Sequence, residues 1–333
     1  MNSLLGKKVS SVVVNRFGLA IIPANTTIGR QQLDLINLHK IDRYSITLEN
    51  DDEGTRCRQL TEQTVVQSIE LFQTIAHTSK IPVMEFKNSV IPAVQQIANS
   101  PDIFHLFEAV KAKDDYTHRH NIGVGVLASL IGKWLNLGAV ELSSLSLAAT
   151  LHDVGKVKIP LEILHKPGKL TAKEFHAIKQ HTVLGYEMLK STVGVGHRIA
   201  LAALQHHEKE DGSGYPLGLK KDQVDLFGKI IAVADIFHAM SSERPYHKAI
   251  PFYDIVSQMR DDKFGKLDPH IVSVFIGNIT KSLIGKVVML TDNRQGEVVY
   301  MNPQSDMNPL IRIKDEFISL GVESQLQIKE VLA

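Results

Sequence analysis

The chain has 333 residues, 44% apolar and 22% charged, ordinary values for a globular protein long enough for a main domain with smaller attachments. Lysine and arginine total 37 against 36 acidic residues, and no stretch concentrates one sign, so composition offers no argument for binding duplex nucleic acid. The single cysteine, Cys57, excludes an internal disulfide, and no leader or apolar run of about eighteen residues marks a membrane segment, which makes the cytoplasm the expected compartment.

Residues 1 to 55 mix short β-like runs at Val9–Val14, Leu19–Ile22 and Tyr44–Leu48 with an amphipathic stretch at Gln32–Leu38, which predicts a small α+β unit. The acidic Asn50–Gly54 reads as its exit loop. Helices follow near 61–78, 87–98 and 102–112. From Thr117 to Ile276 the pattern is one helix after another between Gly and Pro punctuation, with a capping box at Thr171–Glu174, which predicts an all-α bundle. After Gly285, Lys286–Leu290 and Glu297–Tyr300 flank a turn at Asp292–Gly296 and predict a compact β appendage. The fold class expected is mainly α, an all-helical bundle with a small α+β N-terminal unit and a short β C-terminal appendage.

Histidine carries the chemical signal. Only His39 and His77 precede residue 100, so thirteen of the fifteen lie between His105 and His270. Asp235 sits in Ile230–Met240 with apolar neighbours on nearly every side, where a carboxylate without a cation costs several kcal/mol. An apolar helix at Leu145–Leu151 ends in His152 and Asp153, then Gly155 and Lys156. The adjacent pair diverges by roughly 100° on a helix, so the two side chains reach different points of one cluster, with Asp153 able to bridge two ions. His206-His207 opens a Gly-rich turn that closes with Gly214-Tyr215-Pro216, and His120 and His181 offer further donors.

Five imidazoles and two carboxylates from separate helices suit a dinuclear site in a bundle core, with iron, manganese or zinc as candidate metals. Two ions roughly 3.5 to 4 Å apart would lower the pKa of a water between them, holding it as a bridging hydroxide, and stabilise phosphate oxygens. Lys156, four residues past His152, is placed to neutralise a nonbridging oxygen. The bland readings are kept for His118, His165, His176, His197 and His270 as ordinary polar residues. Trp134 and Leu135 read as core, and Cys57 as inert.

The run His152-Asp153-x-Gly155-Lys156, with His206-His207-Glu208-x-x-Asp211-Gly212-x-Gly214-Tyr215-Pro216, resembles the HD-GYP subgroup of the HD phosphohydrolase superfamily. Ile159-Pro160, Lys166-Pro167-Gly168-x-Leu170-Thr171 and Arg244-Pro245-Tyr246 extend the likeness over residues 100–280. The resemblance implies an HD-type bundle and a bacterial phosphodiesterase that hydrolyses cyclic di-GMP, through linear pGpG, toward GMP, with iron or alternatively manganese. It implies one ion on His120, His152, Asp153 and Asp235, and another on Asp153, His181, His206 and His207. Lys156 would face the phosphate, Arg244 and His247 would contact substrate, and Gly214-Tyr215-Pro216 would wall the pocket. Domain limits of 1–95, 96–284 and 285–333 follow, the first a regulatory or docking region, with a protein partner or homodimer engaged through the flanking units.

Three positions depart from the pattern. Tyr116 stands where some members have a third-metal glutamate, which sets the expectation at two ions. His238 replaces the usual Asp after the last metal carboxylate, and His247, next to Lys248, replaces the usual basic residue. Both are expected at the substrate rim. Two other classes remain: a receptor or scaffold that binds a cyclic dinucleotide with negligible turnover, and an HD hydrolase of another cyclic dinucleotide or nucleotide.

Overall fold

The computed structural model describes residues 4–10, 12–15, 19–39, 41, 46, 53–111, 116–242, 250, 252–260, 267–302, 305–320 and 326–332. At the N-terminus, strands β1 (Val13–Val14) and β2 (Ala20–Ile22) pair antiparallel and precede helix α1 (Arg30–Leu38). Val9, Val13, Ile22, Ile28 and Ile36 bury into a core separate from that of the rest of the chain. Most of the strand expected at Tyr44–Leu48 falls outside the described residues.

Helix α2 (Glu53–Thr78) starts earlier than its apolar spacing suggests, and Glu53 and Gly54, expected in an exit loop, are helical. The first turns explain the difference, because only Cys57 and Leu60 are apolar there, and the buried face beyond carries Thr61, Thr64 and Ser68 between Val65 and Phe72. Thr61 Oγ1 donates to the Cys57 carbonyl at 2.8 Å and Thr64 Oγ1 to that of Leu60 at 2.7 Å. Hydroxyls satisfied by the preceding turn can face a core, but they break the apolar stripe that betrays a helix.

Helix α3 (Val83–Glu85) runs through a π turn (Phe86–Val90) into α4 (Ile91–Ile97), whose Pro92 lacks the N–H that would continue the regular ladder. Asp102 caps α5 (Ile103–Val110) by accepting from the Phe104 amide at 2.9 Å. Then come α6 (Tyr116–Trp134), α7 (Ala139–Thr150), a 3-10 turn (Val154–Lys158), α8 (Leu161–Leu164), α9 (Ala172–Lys190) and α10 (His197–Gln205). A second 3-10 turn (Lys221–Gln223) precedes α11 (Leu226–Ser241), α12 (Phe252–Arg260) and α13 (Pro269–Lys281). Helix α6 is central, packed by α2, α4, α5, α7, α11 and α13. Trp134 and Leu135 lie against this core, as read from the sequence.

Strands β3 (Val287–Leu290), β4 (Gln295–Asn302), β5 (Ser305–Ile313), β6 (Glu316–Ser319) and β7 (Ile328–Leu332) form an antiparallel sheet in the order β6-β5-β4-β3-β7. The last strand returns to pair with the first. Its inward residues Val288, Leu290, Val298, Ile311 and Ile328 are continuous with the helical core rather than a core of their own. No helix among the described residues is long and apolar enough to cross a membrane.

Candidate metal centre

Five parts of the fold deliver the seven donors. His120 lies in the first turns of α6, His181 in α9, His206 caps the C-terminus of α10 with His207 next, and Asp235 lies in α11. Helix α7 ends at Thr150, so His152 and Asp153 belong to the turn beyond it. There their side chains converge, with His152 Nε2 3.3 Å from Asp153 Oδ2, instead of diverging as consecutive helical residues would. Gly155 makes the next contact possible: a Cβ there would stand 2.0 Å from the His181 carbonyl oxygen and 2.5 Å from the Gly185 nitrogen. The 3-10 turn can therefore lie directly on α9, which brings Asp153 to His181.

The donors fall into two sets. Asp153, His181, His206 and His207 place ligand atoms within 4.8 Å of one another, as do His120, His152 and Asp235. Asp153 reaches both. Its Oδ1 is 3.2 Å from His181 Nε2 and 3.8 Å from His206 Nε2, while Oδ2 faces His152 and lies 3.9 Å from His120 Nε2. Asp235 Oδ1 is 3.1 Å from His120 Nε2.

The proton inventory shows that these residues fit a cation. The Nδ1 atoms of His152, His181 and His206 lie 2.7, 2.6 and 2.9 Å from the carbonyls of Ala149, Ile178 and Ala203. A carbonyl only accepts, so each Nδ1 carries the hydrogen and each neutral ring presents an Nε2 lone pair to the centre. His181 Nε2 and His206 Nε2 are 3.3 Å apart, and the buried Asp153 Oδ1 between them accepts no hydrogen bond. Lone pairs converging on an orphaned carboxylate oxygen are repulsive until a positive ion joins them.

The ionisation states agree. Burial holds His120, His181 and, further still, His206 below the ordinary histidine range, and pushes His207 down to about 3. Burial also opposes charge on Asp153, but Lys156 and His152 hold it well below the usual carboxylate range. The His120 contact does the same for Asp235. His152 is the exception, raised by Asp153 against the effect of burial. Neutral imidazoles and ionised carboxylates are the ligating forms.

Lys156 Nζ donates to Asp153 Oδ2 at the edge of the cluster. Tyr215 covers the His207 side, its ring 4.7 Å from that of His207, and Lys179 Nζ sits over the Tyr215 ring, 5.0 Å from its centroid, with Phe175 alongside. Gly214 lies on the backbone of Glu208 and Lys209, and Pro216 follows Tyr215 in the same turn. Glu208, which sequence reasoning quoted without a role, braces this loop: its two carboxylate oxygens accept from the amides of Leu217 at 2.7 Å and Leu219 at 2.9 Å. Burial with two donors in a Gly-rich turn left no sequence signal beyond the motif.

His238 is misplaced by the sequence reading. It is fully buried behind His120 rather than at a rim. Arg244 and His247 lie outside the described residues, as does the side chain of Tyr116. His165, His176, His197 and His270 are exposed, and His118 packs edge-on against Phe72.

The HD domain family model matches residues 103–271, half of the chain, and the chain belongs to that family. Its His206–Pro216 motif resembles that of the HD-GYP subgroup. A cyclic di-GMP phosphodiesterase of Thermotoga maritima is 40% identical over 180 residues, covering 52% of this chain and 49% of that one. A 3'3'-cGAMP-specific phosphodiesterase of Vibrio cholerae is 36% identical over 170 residues, 51% of this chain and 39% of that one. The chain thus spans half the length, or less, of these curated relatives. The solved Bd1817, an HDG"Y"P protein from Bdellovibrio bacteriovorus, shares the fold with a TM-score of 0.57 at 15% identity, covering 84% of this chain and 98% of that one. The HD domain and the His/Asp cluster together indicate divalent metal binding.

Proposed function

We propose that the chain is a metal-dependent phosphodiesterase that hydrolyses cyclic di-GMP, through linear pGpG, toward GMP. Two divalent ions, iron or alternatively manganese, are assigned to His120, His152, Asp153 and Asp235, and to Asp153, His181, His206 and His207. The observation that carries this reading is Asp153, a buried carboxylate whose two oxygens face two separate sets of Nε2 lone pairs. When bound, such ions supply a Lewis acid and a water of lowered pKa for attack on phosphorus.

The protein's own residues supply the rest. Lys156, half-exposed beside Asp153, brings a positive charge to a nonbridging oxygen as negative charge grows there. Tyr215 and Phe175, with Lys179 between them, offer aromatic faces and a cation beside the centre, which suits a nucleotide base next to a phosphodiester. The Glu208 brace holds that wall in place. Arg244 and His247 are assigned to substrate on motif alone.

Purified, metal-loaded protein is incubated with cyclic di-GMP under reducing conditions and the products are separated by chromatography. The expected result is pGpG and then GMP, with none from Asp153→Ala. Binding without turnover makes the chain a receptor, and preferential turnover of 3'3'-cGAMP moves the substrate within the class. The related phosphodiesterases named for both dinucleotides support the class.

A further inference from the structure

We propose that His238 is a positioning residue that fixes the pose and tautomer of His120, and so sets the affinity of one of the two metal positions. This rests on the two-ion reading above. The His238 side chain is completely buried on α11, three residues beyond Asp235, so one helix supplies both a ligand and the brace for another ligand. Its ring lies on α6 at Gly123, where a Cβ would stand 2.0 Å from His238 Nε2. No larger residue at 123 leaves room for the ring.

The order of protons follows from the partners. His238 Nε2 is 3.0 Å from the Val110 carbonyl in the last turn of α5, and a carbonyl accepts only, so Nε2 carries the hydrogen. The neutral ring then presents a lone pair on Nδ1, which is 3.0 Å from His120 Nδ1. His120 must donate there, which leaves its Nε2, 3.1 Å from Asp235 Oδ1, as the ligating atom. Ser242 Oγ, at 3.5 Å from His238 Nδ1, is too distant to compete strongly. With one nitrogen on Val110 and the other behind His120, His238 has none left to reach the centre itself.

His152, His181 and His206 obtain the same orientation from carbonyls three residues back in their own turns. His120 obtains it from a side chain, and that acceptor is neutral where the family pattern has a carboxylate. A carboxylate raises the basicity of a ligand imidazole more than a neutral acceptor does. His120 therefore holds its ion less tightly than it would with a carboxylate behind it at position 238.

Manganese is titrated into the full-length chain against a chelator and followed by electron paramagnetic resonance. His238→Phe, which keeps a ring but offers no acceptor, is expected to weaken one ion by about 10- to 100-fold and leave the other within about threefold. His238→Asn, which retains an acceptor toward His120, restores binding to within about threefold of wild type. Gly123→Ala, which displaces the ring from the other side, reproduces the Phe result. In zinc-loaded wild type, long-range 1H–15N correlation finds His238 protonated on Nε2 and His120 on Nδ1, a readout that needs no variant to fold. Wild-type affinity in the Phe variant, equal losses in Phe and Asn, or a His238 protonated on Nδ1 overturns the assignment while leaving the two-ion reading intact. A wild-type chain that takes up fewer than two ions overturns the two-ion reading and this inference with it.

Discussion

The two sets of donors are built differently. His181 and His206 are oriented by the backbone of the helices that carry them, through the carbonyls of Ile178 and Ala203. His120 is oriented by His238 from another helix, itself held by Val110 from a third. A backbone anchor survives any change of neighbouring side chain, whereas a side-chain anchor passes its chemistry to the ligand. One set is thus oriented by its own backbone at His181 and His206, while the other joins a backbone-held His152 to a His120 that is open to tuning by sequence.

Four changes break or sharpen that contrast. The largest effect is expected from Lys156→Met, which removes the cation beside Asp153 Oδ2: kcat falls by about 10²- to 10³-fold. Metal analysis of the same variant still finds two ions. Gly155→Ala forces a Cβ into the His181 carbonyl and is expected to cost about 3 kcal/mol in chemical denaturation. It weakens the ion on the His181 side and spares the one on His120, so equal loss at both positions would remove the distinction.

Glu208→Gln leaves one of two loop amides facing an N–H instead of an oxygen, at about 1 to 3 kcal/mol. KM for the dinucleotide rises severalfold while metal content holds. The smallest effect is on pH. Buried His120, His181, His206 and His207 resist protonation, whereas the unfolded chain takes up these protons near pH 6.5, so the unfolded state binds more protons below that point. Their contribution is full above pH 6.5 and is lost as pH falls toward the folded values. His152, raised, acts oppositely, so four groups outweigh one. Thermal melts of the metal-free protein should drop from pH 7.5 to 5.5, and a rise would contradict the inventory.

Asp235, His152 and Asp153 were legible because each is chemically out of place in an apolar helix or at its end, and His206-His207 because the pair opens a Gly-rich turn, whereas His120 and His181 stand in polar runs that carry no such signal. Gly155 was legible only as part of a motif, since the backbone it touches belongs to His181 and Gly185, remote in sequence on α9. The start of α2 was not, because from Glu53 to Leu60 only Cys57 and Leu60 are apolar, too few to mark a helical stripe. His238 was misassigned for a geometric reason. Three residues after Asp235 is about 60° round the helix and one turn along, which aims the side chain at α6 and the back of His120 instead of the opening. Sequence distance from a ligand does not say on which side of it a residue lies.

The central claim is that Asp153 joins two metal positions. Metal analysis of anaerobically purified, fully reconstituted protein tests it most directly. Two equivalents per chain, with loss at both positions in Asp153→Ala, is the predicted result. Fewer than two equivalents in the wild type, or two retained in Asp153→Ala, would contradict it.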